Sequence, residues 1–368
     1  MVTAGFAFTN CQGFQSGAIP TVAATDSSNT DGHREPGDLQ TPTPTPEPDS
    51  SPTPSPTASP TPVPSPTPTP YPEKPFADGV VAEQVVAGFG FTEGPAWSPQ
   101  LGKLFFVDQN AKSILRLDGA SSSTYVAASK RANGMAFDKD GSLIACETDT
   151  TRVVRYPYDP VTKTHGNPVV LADKWDNKSF SSPNDVVIGK DGSLYFTDPT
   201  WGTSKFGFNG IYRIRPDGVL ELMSSKIARP NGITISPDFK RIYVDDEPSS
   251  AVWVFELKAD GTFVNDTGKK FFSIPASTGG AEADGMTADQ AGNVYVTSHN
   301  RVFVIAPSAN DPDIGTSVQM IEFPKTPGIA TTNVGFGGSD WKTLYITNGN
   351  SVHKIQSQIP GVEALLFK

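Results

Sequence analysis

Thiols and imidazoles are scarce in this 368-residue chain, which has two cysteines and four histidines. Thiolate clusters need more sulfur than Cys11 and Cys146 supply, and no pair among His33, His165, His299 and His353 has zinc-motif spacing. Positive charge is short as well. Lys and Arg total 29 against 39 Asp and Glu, a net charge of −10. That balance argues against a nucleic-acid partner and suits the binding of a cation. No stretch is long and apolar enough to span a membrane. Beyond residue 76 no long segment carries a helical apolar period. What is left is an all-β domain of short strands, with oxygen as its ligand chemistry.

Proline is plentiful but concentrated. Thr41 to Pro75 is a Pro/Thr/Ser run with Pro at every second or third position. Such a run extends and buries no core. We therefore divide the chain into residues 1–75, a disordered tail and linker, and 76–368, one domain with ample length for a core. A stalk of this kind holds a domain away from a wall or membrane, so an extracytoplasmic location, with a cell-envelope tether, is expected. Val2 to Thr9 is too short for a signal core and lacks a basic flank. Cys11 is either a lipid-attachment site, with poorly fitting Phe8 and Asn10 before it, or an unremarkable tail cysteine. A start that omits a signal peptide is a further reading. Cys146, inside a strand, reads as a buried free thiol.

Six stretches share one pattern: Glu93-Gly-Pro-Ala-Trp97, Asn133-Gly-Met-Ala-Phe137, Asn184-Asp-Val-Val-Ile188, Asn231-Gly-Ile-Thr-Ile235, Asp284-Gly-Met-Thr-Ala288 and Asn333-Val-Gly-Phe-Gly337. Ten or eleven residues after each polar residue a strand opens, at Leu104, Leu143, Leu194, Ile242, Val294 and Leu344. Turn signals such as Asp140-Gly141-Ser142 and Asp191-Gly192-Ser193 precede most of them. A third strand follows each, as in Arg152-Val-Val-Arg-Tyr156 and Ala251-Val-Trp-Val-Phe255. The repeat of roughly 40–50 residues is that of propeller blades. The predicted fold is an all-β, six-bladed β-propeller preceded by a disordered Pro/Thr-rich N-terminal segment. Val80–Val86 is expected to pair as the outer strand of the last blade and close the ring.

A polar residue in register six times places six oxygens near one axis. Glu93 and Asp284 carry two negative charges, enough to balance one divalent ion. Asn184 and Asn231 add neutral carbonyl oxygens. An oxygen-only set suits Ca²⁺ first, with Mg²⁺, Mn²⁺ or Zn²⁺ as alternatives. Isolated Asn-Gly and Asp-Gly pairs are more simply turns. Turn chemistry does not account for Glu93 before Gly-Pro, nor for Asn184 before Asp-Val-Val.

These residues resemble the gluconolactonase family, which includes regucalcin (senescence marker protein) and luciferin-regenerating enzyme. Phe91-Thr-Glu-Gly-Pro-Ala-Trp97 is similar to its opening motif. Ser182-Pro-Asn-Asp-Val-Val187, followed by Asp191-Gly-Ser-Leu-Tyr-Phe-Thr-Asp-Pro199, resembles its most diagnostic stretch. Arg229-Pro-Asn-Gly-Ile233, Ala283-Asp-Gly-Met286 and Thr331-Thr-Asn-Val-Gly-Phe-Gly-Gly338 complete the ordered set. The resemblance implies a six-bladed propeller with one divalent cation in its central channel. It implies Glu93, Asn184, Asn231 and Asp284 as the metal-site residues, and hydrolysis of sugar lactones as the activity. One departure is Ser182, where animal regucalcins carry an arginine that helps hold the sugar.

On this reading the chain is a hydrolase of carbohydrate metabolism with a small-molecule sugar lactone as its partner. Asp284 is the candidate general base, or alternatively a direct nucleophile. Asn184 and Asn133 are candidate substrate contacts, and Trp201 a stacking wall. Asn333 takes the equivalent of the Asn133 position. Asp185 is read as orienting Asn184, His299 as a weak candidate proton relay, and Glu147 and Asp246 as solvated loop carboxylates. Two other readings stand beside this one: promiscuous esterase or phosphotriesterase chemistry on the same metal, and a non-catalytic ligand-binding propeller.

Overall fold

Short apolar strands separated by Gly- and Asp-bearing turns pair with their chain neighbours, and here they do so six times. The structure, a computed structural model, describes residues 70–275 and 282–368. Cys11, His33 and the chain before residue 70 lie outside the described residues. Six four-stranded antiparallel sheets form the molecule. Blade 1 comprises Thr92–Ser98, Lys103–Asp108, Ser113–Asp118 and Ser121–Val126. Blade 2 comprises Ala132–Phe137, Leu143–Glu147, Arg152–Tyr156 and Val169–Ala172. Blade 3 comprises Val186–Ile188, Leu194–Asp198, Gly210–Ile214 and Leu220–Ser224. Blade 4 comprises Pro230–Ile235, Arg241–Asp246, Ala251–Glu256 and Lys269–Ser273. Blade 5 comprises Ala283–Ala288, Val294–Ser298, Arg301–Pro307 and Gly315–Glu322.

Blade 6 takes Thr331–Gly337, Thr343–Asn348 and Ser351–Gln356 from the end of the chain and Glu83–Ala87 from its start. Glu83 lies opposite Lys354 and Ala87 opposite Ser351. The expected ring closure is thus present, but its strand begins at Glu83 rather than Val80. Val80 and Val81 are exposed and make no ladder. The last residues of the proline-rich run, 71–75, lie against the propeller. Tyr71 Oη donates to Gln290, and the Pro75 carbonyl accepts from the Gln358 N–H at 2.7 Å. The fixed point is Phe76, fully buried edge-on against Tyr295. Burial of its ring is the apolar gain that favours this docking.

The core is divided among the blade interfaces. One apolar cluster lies between each neighbouring pair of blades. Phe105, Ile114, Met135 and Phe137 join blades 1 and 2. Leu104, Phe106, Tyr345 and Val352 join blades 6 and 1. Each sheet is covered on both faces, so its middle strands are buried almost end to end, as Leu143–Glu147 and Gly210–Ile214 are. The inner strands meet around a central channel. At one end the channel is shut by the 3₁₀ segment Val362–Phe367, which buries Val362 and Ala364 and stacks Phe367 on Trp341. Among the described residues no helix is long and apolar enough to cross a membrane.

Candidate active site at the open mouth of the channel

In five of the six blades the inner strand breaks its pairing at or beside the polar residue. In blades 1, 2, 4 and 5 the register shifts between Glu93 and Ala96, Ala132 and Met135, Pro230 and Ile233, and Ala283 and Met286. Glu93 sits at the edge of its bulge, and Asn133, Asn231 and Asp284 fall inside theirs. A bulge re-aims side chains and ends a ladder. In blade 3, Asn184 and Asp185 stand just before the strand, which begins at Val186. The Asn-Gly and Asp-Gly pairs are therefore bulges, and the glycines answer to space rather than to turn chemistry. A Cβ on Gly94 would meet the Asn133 carbonyl of the next blade at 2.0 Å. One on Gly134 would meet Asp185 at 2.1 Å, and one on Gly232 the Asp284 carbonyl at 2.3 Å. One on Gly285 would meet Asn333 at 2.1 Å, and one on Gly335 the Pro95 carbonyl of blade 1 at 2.3 Å. Inner strands approach so closely that a side chain cannot pass between them.

Buried threonines link these strands. Thr197 of blade 3 donates to the Asn231 carbonyl of blade 4 at 2.6 Å. Thr297 of blade 5 donates to the carbonyls of Gly285 at 3.1 Å and of Thr332 in blade 6 at 2.9 Å. Thr332 donates to the Thr92 carbonyl of blade 1 at 2.7 Å. The side chains ending the second strands fix the loops that enter the site. Asp108 accepts the Gly90 N–H at 2.9 Å, Asp198 accepts Ser182 at 2.6 Å, and Asp246 accepts Arg229 at 3.0 Å. This corrects two sequence-based expectations. Asp246 is buried, and Glu147 is fully buried, bound by Arg152 and Thr150 at 2.6 Å and by Tyr156 at 3.2 Å. Neither is a solvated loop carboxylate. The signal was available in the sequence as an acid closing the strand in Val107-Asp108, Thr197-Asp198 and Asp245-Asp246, but strand composition alone did not give it a role.

Glu93, Asn133, Asn184, Asn231 and Asp284, from five different blades, line one cavity of about 470 Å³ at the open mouth, with half-exposed Trp201 on its wall. Ser182 also lines it, and the Arg229 guanidinium lies 6.0 Å from the Trp201 ring centre. Asn333 lies deeper. Its Oδ1 accepts the Val334 N–H at 2.8 Å, and its amide bonds to Glu93 and Asp185. Asp185 does not sit beside the mouth either; its carboxylate accepts the N–H groups of Val186 at 2.9 Å and Ile233 at 3.4 Å. His299 lines no part of this cavity.

Below the mouth, toward the plugged end, lies a chamber of about 70 Å³, bordered by Asp185, Asn333, Thr287 and Glu363 among apolar residues. Glu363 comes from the terminal 3₁₀ segment and accepts the Thr287 hydroxyl. The sequence reading assigned no role to this segment.

The site crowds acids. Burial, then the charge of Asp185, pushes the Glu93 carboxyl up to about 8. Burial, then the charges of Glu93 and Asp245, raises Asp284 well above the carboxylate range. Burial raises Asp185 to about 7 and Asp245 well above its usual value. Asn231 turns Nδ2 to Asp284 Oδ1 at 2.9 Å, while its own Oδ1 is buried without a donor. Asn133 Oδ1 is likewise buried and unpartnered. Orphaned acceptor oxygens beside carboxylates that cannot all ionise are the arrangement one cation would relieve. The oxygen donors of these residues therefore fit a hard divalent ion.

Fold and cavity together define a six-bladed propeller whose candidate site is the oxygen-rich mouth of its channel. Residues 91–350 match the SMP-30/Gluconolactonase/LRE-like region, and the chain belongs to that family. It is 28% identical over 308 residues to a gluconolactonase of Zymomonas mobilis, covering 76% of this chain and 82% of that protein. It is 26% identical over 267 residues to a pentonolactonase of Haloferax volcanii, covering 69% and 80%. The solved structure of a gluconolactonase from Xanthomonas campestris superposes with a TM-score of 0.63 at 23% identity, covering 78% of this chain and 99% of that one. That last likeness bears on the fold.

Proposed function

We propose that this protein is a metal-dependent hydrolase that opens sugar lactones at the mouth of the channel. Family membership and relatives that act on glucono- and pentonolactones support the reaction class. The observation that carries the reading is the convergence of Glu93, Asn184, Asn231 and Asp284 on one cavity, where Asn231 Oδ1 is buried without a donor. Those four side chains would hold the ion, Ca²⁺ by the hardness of an all-oxygen set. A divalent ion bound there supplies Lewis acidity toward the lactone carbonyl and stabilises the charge that develops on its oxygen.

The protein's own residues do the rest. Asn231 Nδ2 fixes Asp284 by one oxygen and leaves the other free to take a proton from the water that attacks the carbonyl. The tight contacts of Gly94, Gly134, Gly232 and Gly285 with neighbouring blades hold the cavity's side chains in place. Asn133 and Asn184 offer amides to ring hydroxyls, and Trp201 offers a flat apolar wall.

The test is acid release from a panel of sugar lactones by the pure protein with Ca²⁺, Mg²⁺, Mn²⁺, Zn²⁺ or chelator. Turnover that needs the cation, and falls about 10²–10⁴-fold in Asp284→Asn with the fold intact, is expected. Full activity in chelator, or in that variant, refutes the assignment.

A further inference from the structure

The loop entering blade 2 is held in an unfavourable conformation. Lys130 and Arg131 lie at φ 57° and 53°, two consecutive side-chain-bearing residues in the left-handed region. The turn closes from Ala132 N–H to the Ser129 carbonyl at 3.1 Å. A turn with both central residues at positive φ ordinarily takes Asn-Gly or Asp-Gly. The other described pair of consecutive non-glycine residues of this kind is Asp176–Asn177, whose side chains tolerate it. The Lys130–Arg131 turn is locked from outside: the Lys130 carbonyl accepts from Asp149 at 3.0 Å and the Arg131 carbonyl from Thr148 at 3.1 Å. Strain that the surroundings over-determine points toward function.

The strained turn delivers Arg131 to the mouth. Among the described residues that line the cavity it is the single cation, in company with Glu93, Glu247, Glu282 and Asp284. Its Nη2 donates to Gln109 Oε1 at 3.3 Å, and its Nη1 is 3.7 Å from Asp149, whose other oxygen is taken by Lys112 at 2.7 Å. Gln109 is buried and lines the same cavity. With its oxygen engaged, its Nε2 is left to donate. The two residues thus present an amide and a guanidinium, both donors, on the wall formed by blades 1 and 2.

We propose that Arg131 and Gln109 form a specificity arm that reads the exocyclic hydroxyls of the lactone, which selects polyhydroxylated sugar lactones over simple alkyl lactones; this rests on the lactonase reading above. Hydroxyl oxygens are the acceptors that two donors in this place can use, and the acidic wall disfavours an anionic substituent. The arm sits two residues before Asn133, whereas Ser182, two residues before Asn184, contributes only a short hydroxyl.

The experiment measures binding of D-glucono-1,5-lactam, a non-hydrolysable analogue, by calorimetry, and of δ-valerolactam by ligand-observed NMR, alongside turnover of the lactones. Arg131→Leu is expected to weaken the sugar lactam about 10- to 100-fold and to leave valerolactam unchanged. Arg131→Gly is expected to lose the same affinity while its Tm holds or rises, because glycine relieves the turn. A purely structural role predicts a lower Tm and equal effects on both lactams. Wild-type affinity in Arg131→Leu, equal losses for both lactams, or no binding of the sugar lactam by the wild type overturns the proposal. Arg131-dependent lactam binding without any lactone turnover would leave this inference standing and remove the lactonase reading. Turnover with Arg131-independent binding would do the reverse.

Discussion

Gly232→Ala tests the close approach of the blades at the site. The added Cβ would stand 2.3 Å from the Asp284 carbonyl oxygen and 2.8 Å from Asp245 Oδ2. Carbon–oxygen contacts settle at about 3.3–3.6 Å, so blades 4 and 5 must part by about 1 Å. Both faces of those blades are packed, so the ring cannot yield without straining a core. Overpacking of this size costs about 1–3 kcal/mol, which lowers Tm by roughly 2–4 °C per kcal/mol in a domain of this scale. The same movement displaces Asp284 relative to Asn231, and a misplacement of about 1 Å costs on the order of 100-fold in rate. Activity should therefore fall on the order of 100-fold in protein that is still folded at the assay temperature. Gly166→Ala is the control, since its Cβ meets nothing nearer than the Pro157 carbonyl at 3.8 Å. Thermal unfolding and steady-state kinetics on both variants decide the matter. A Gly232→Ala protein with wild-type Tm and wild-type kcat would refute the argument that spacing, not turn chemistry, requires glycine here.

Two further outcomes concern the stability of the channel. Burial holds the Glu363 carboxyl at about 7 against an ordinary 4.5. Its contribution to stability is therefore full below about pH 4.5 and is lost as pH rises toward 7, at up to about 1.4 kcal/mol per pH unit. Glu363→Gln should remove that share of the slope between those limits, and Tm-against-pH curves running parallel in the two proteins would sink the idea. Thr297→Val keeps shape but deprives the Gly285 and Thr332 carbonyls of their shared donor. A loss of about 1–3 kcal/mol in denaturant unfolding is expected, and an unchanged midpoint at unchanged m-value would count against the threonine link.

The six-fold repeat was readable because each blade is built from local hairpins, whose alternation and turns are written in consecutive residues. The meeting of Glu93, Asn184, Asn231 and Asp284 at one cavity was readable for the same reason: register within a repeat becomes position around an axis once the ring closes. The reading stopped where contacts cross between blades. Glu147 and Asp246 look like loop carboxylates in the sequence, because the groups that bury them arrive only with the folded neighbours. Asn333 occupies the same register as Asn133, yet it lies below the mouth and hydrogen-bonds Glu93 and Asp185. The plug Val362–Phe367 has no periodic signature, since its apolar residues answer to the channel's shape. Arg131 is an unmarked residue of a loop until the strained turn brings it to the cavity.

The amino-acid sequence by itself determined the number of blades, the strand that closes the ring and the choice of oxygen over sulfur or imidazole in the site, because all three follow from local pattern and residue supply. The tertiary structure decided the spacing between inner strands, the depth at which each polar side chain sits, and the company that shifts its proton affinity. Those quantities depend on atoms brought together from remote parts of the chain, and no local rule contains them.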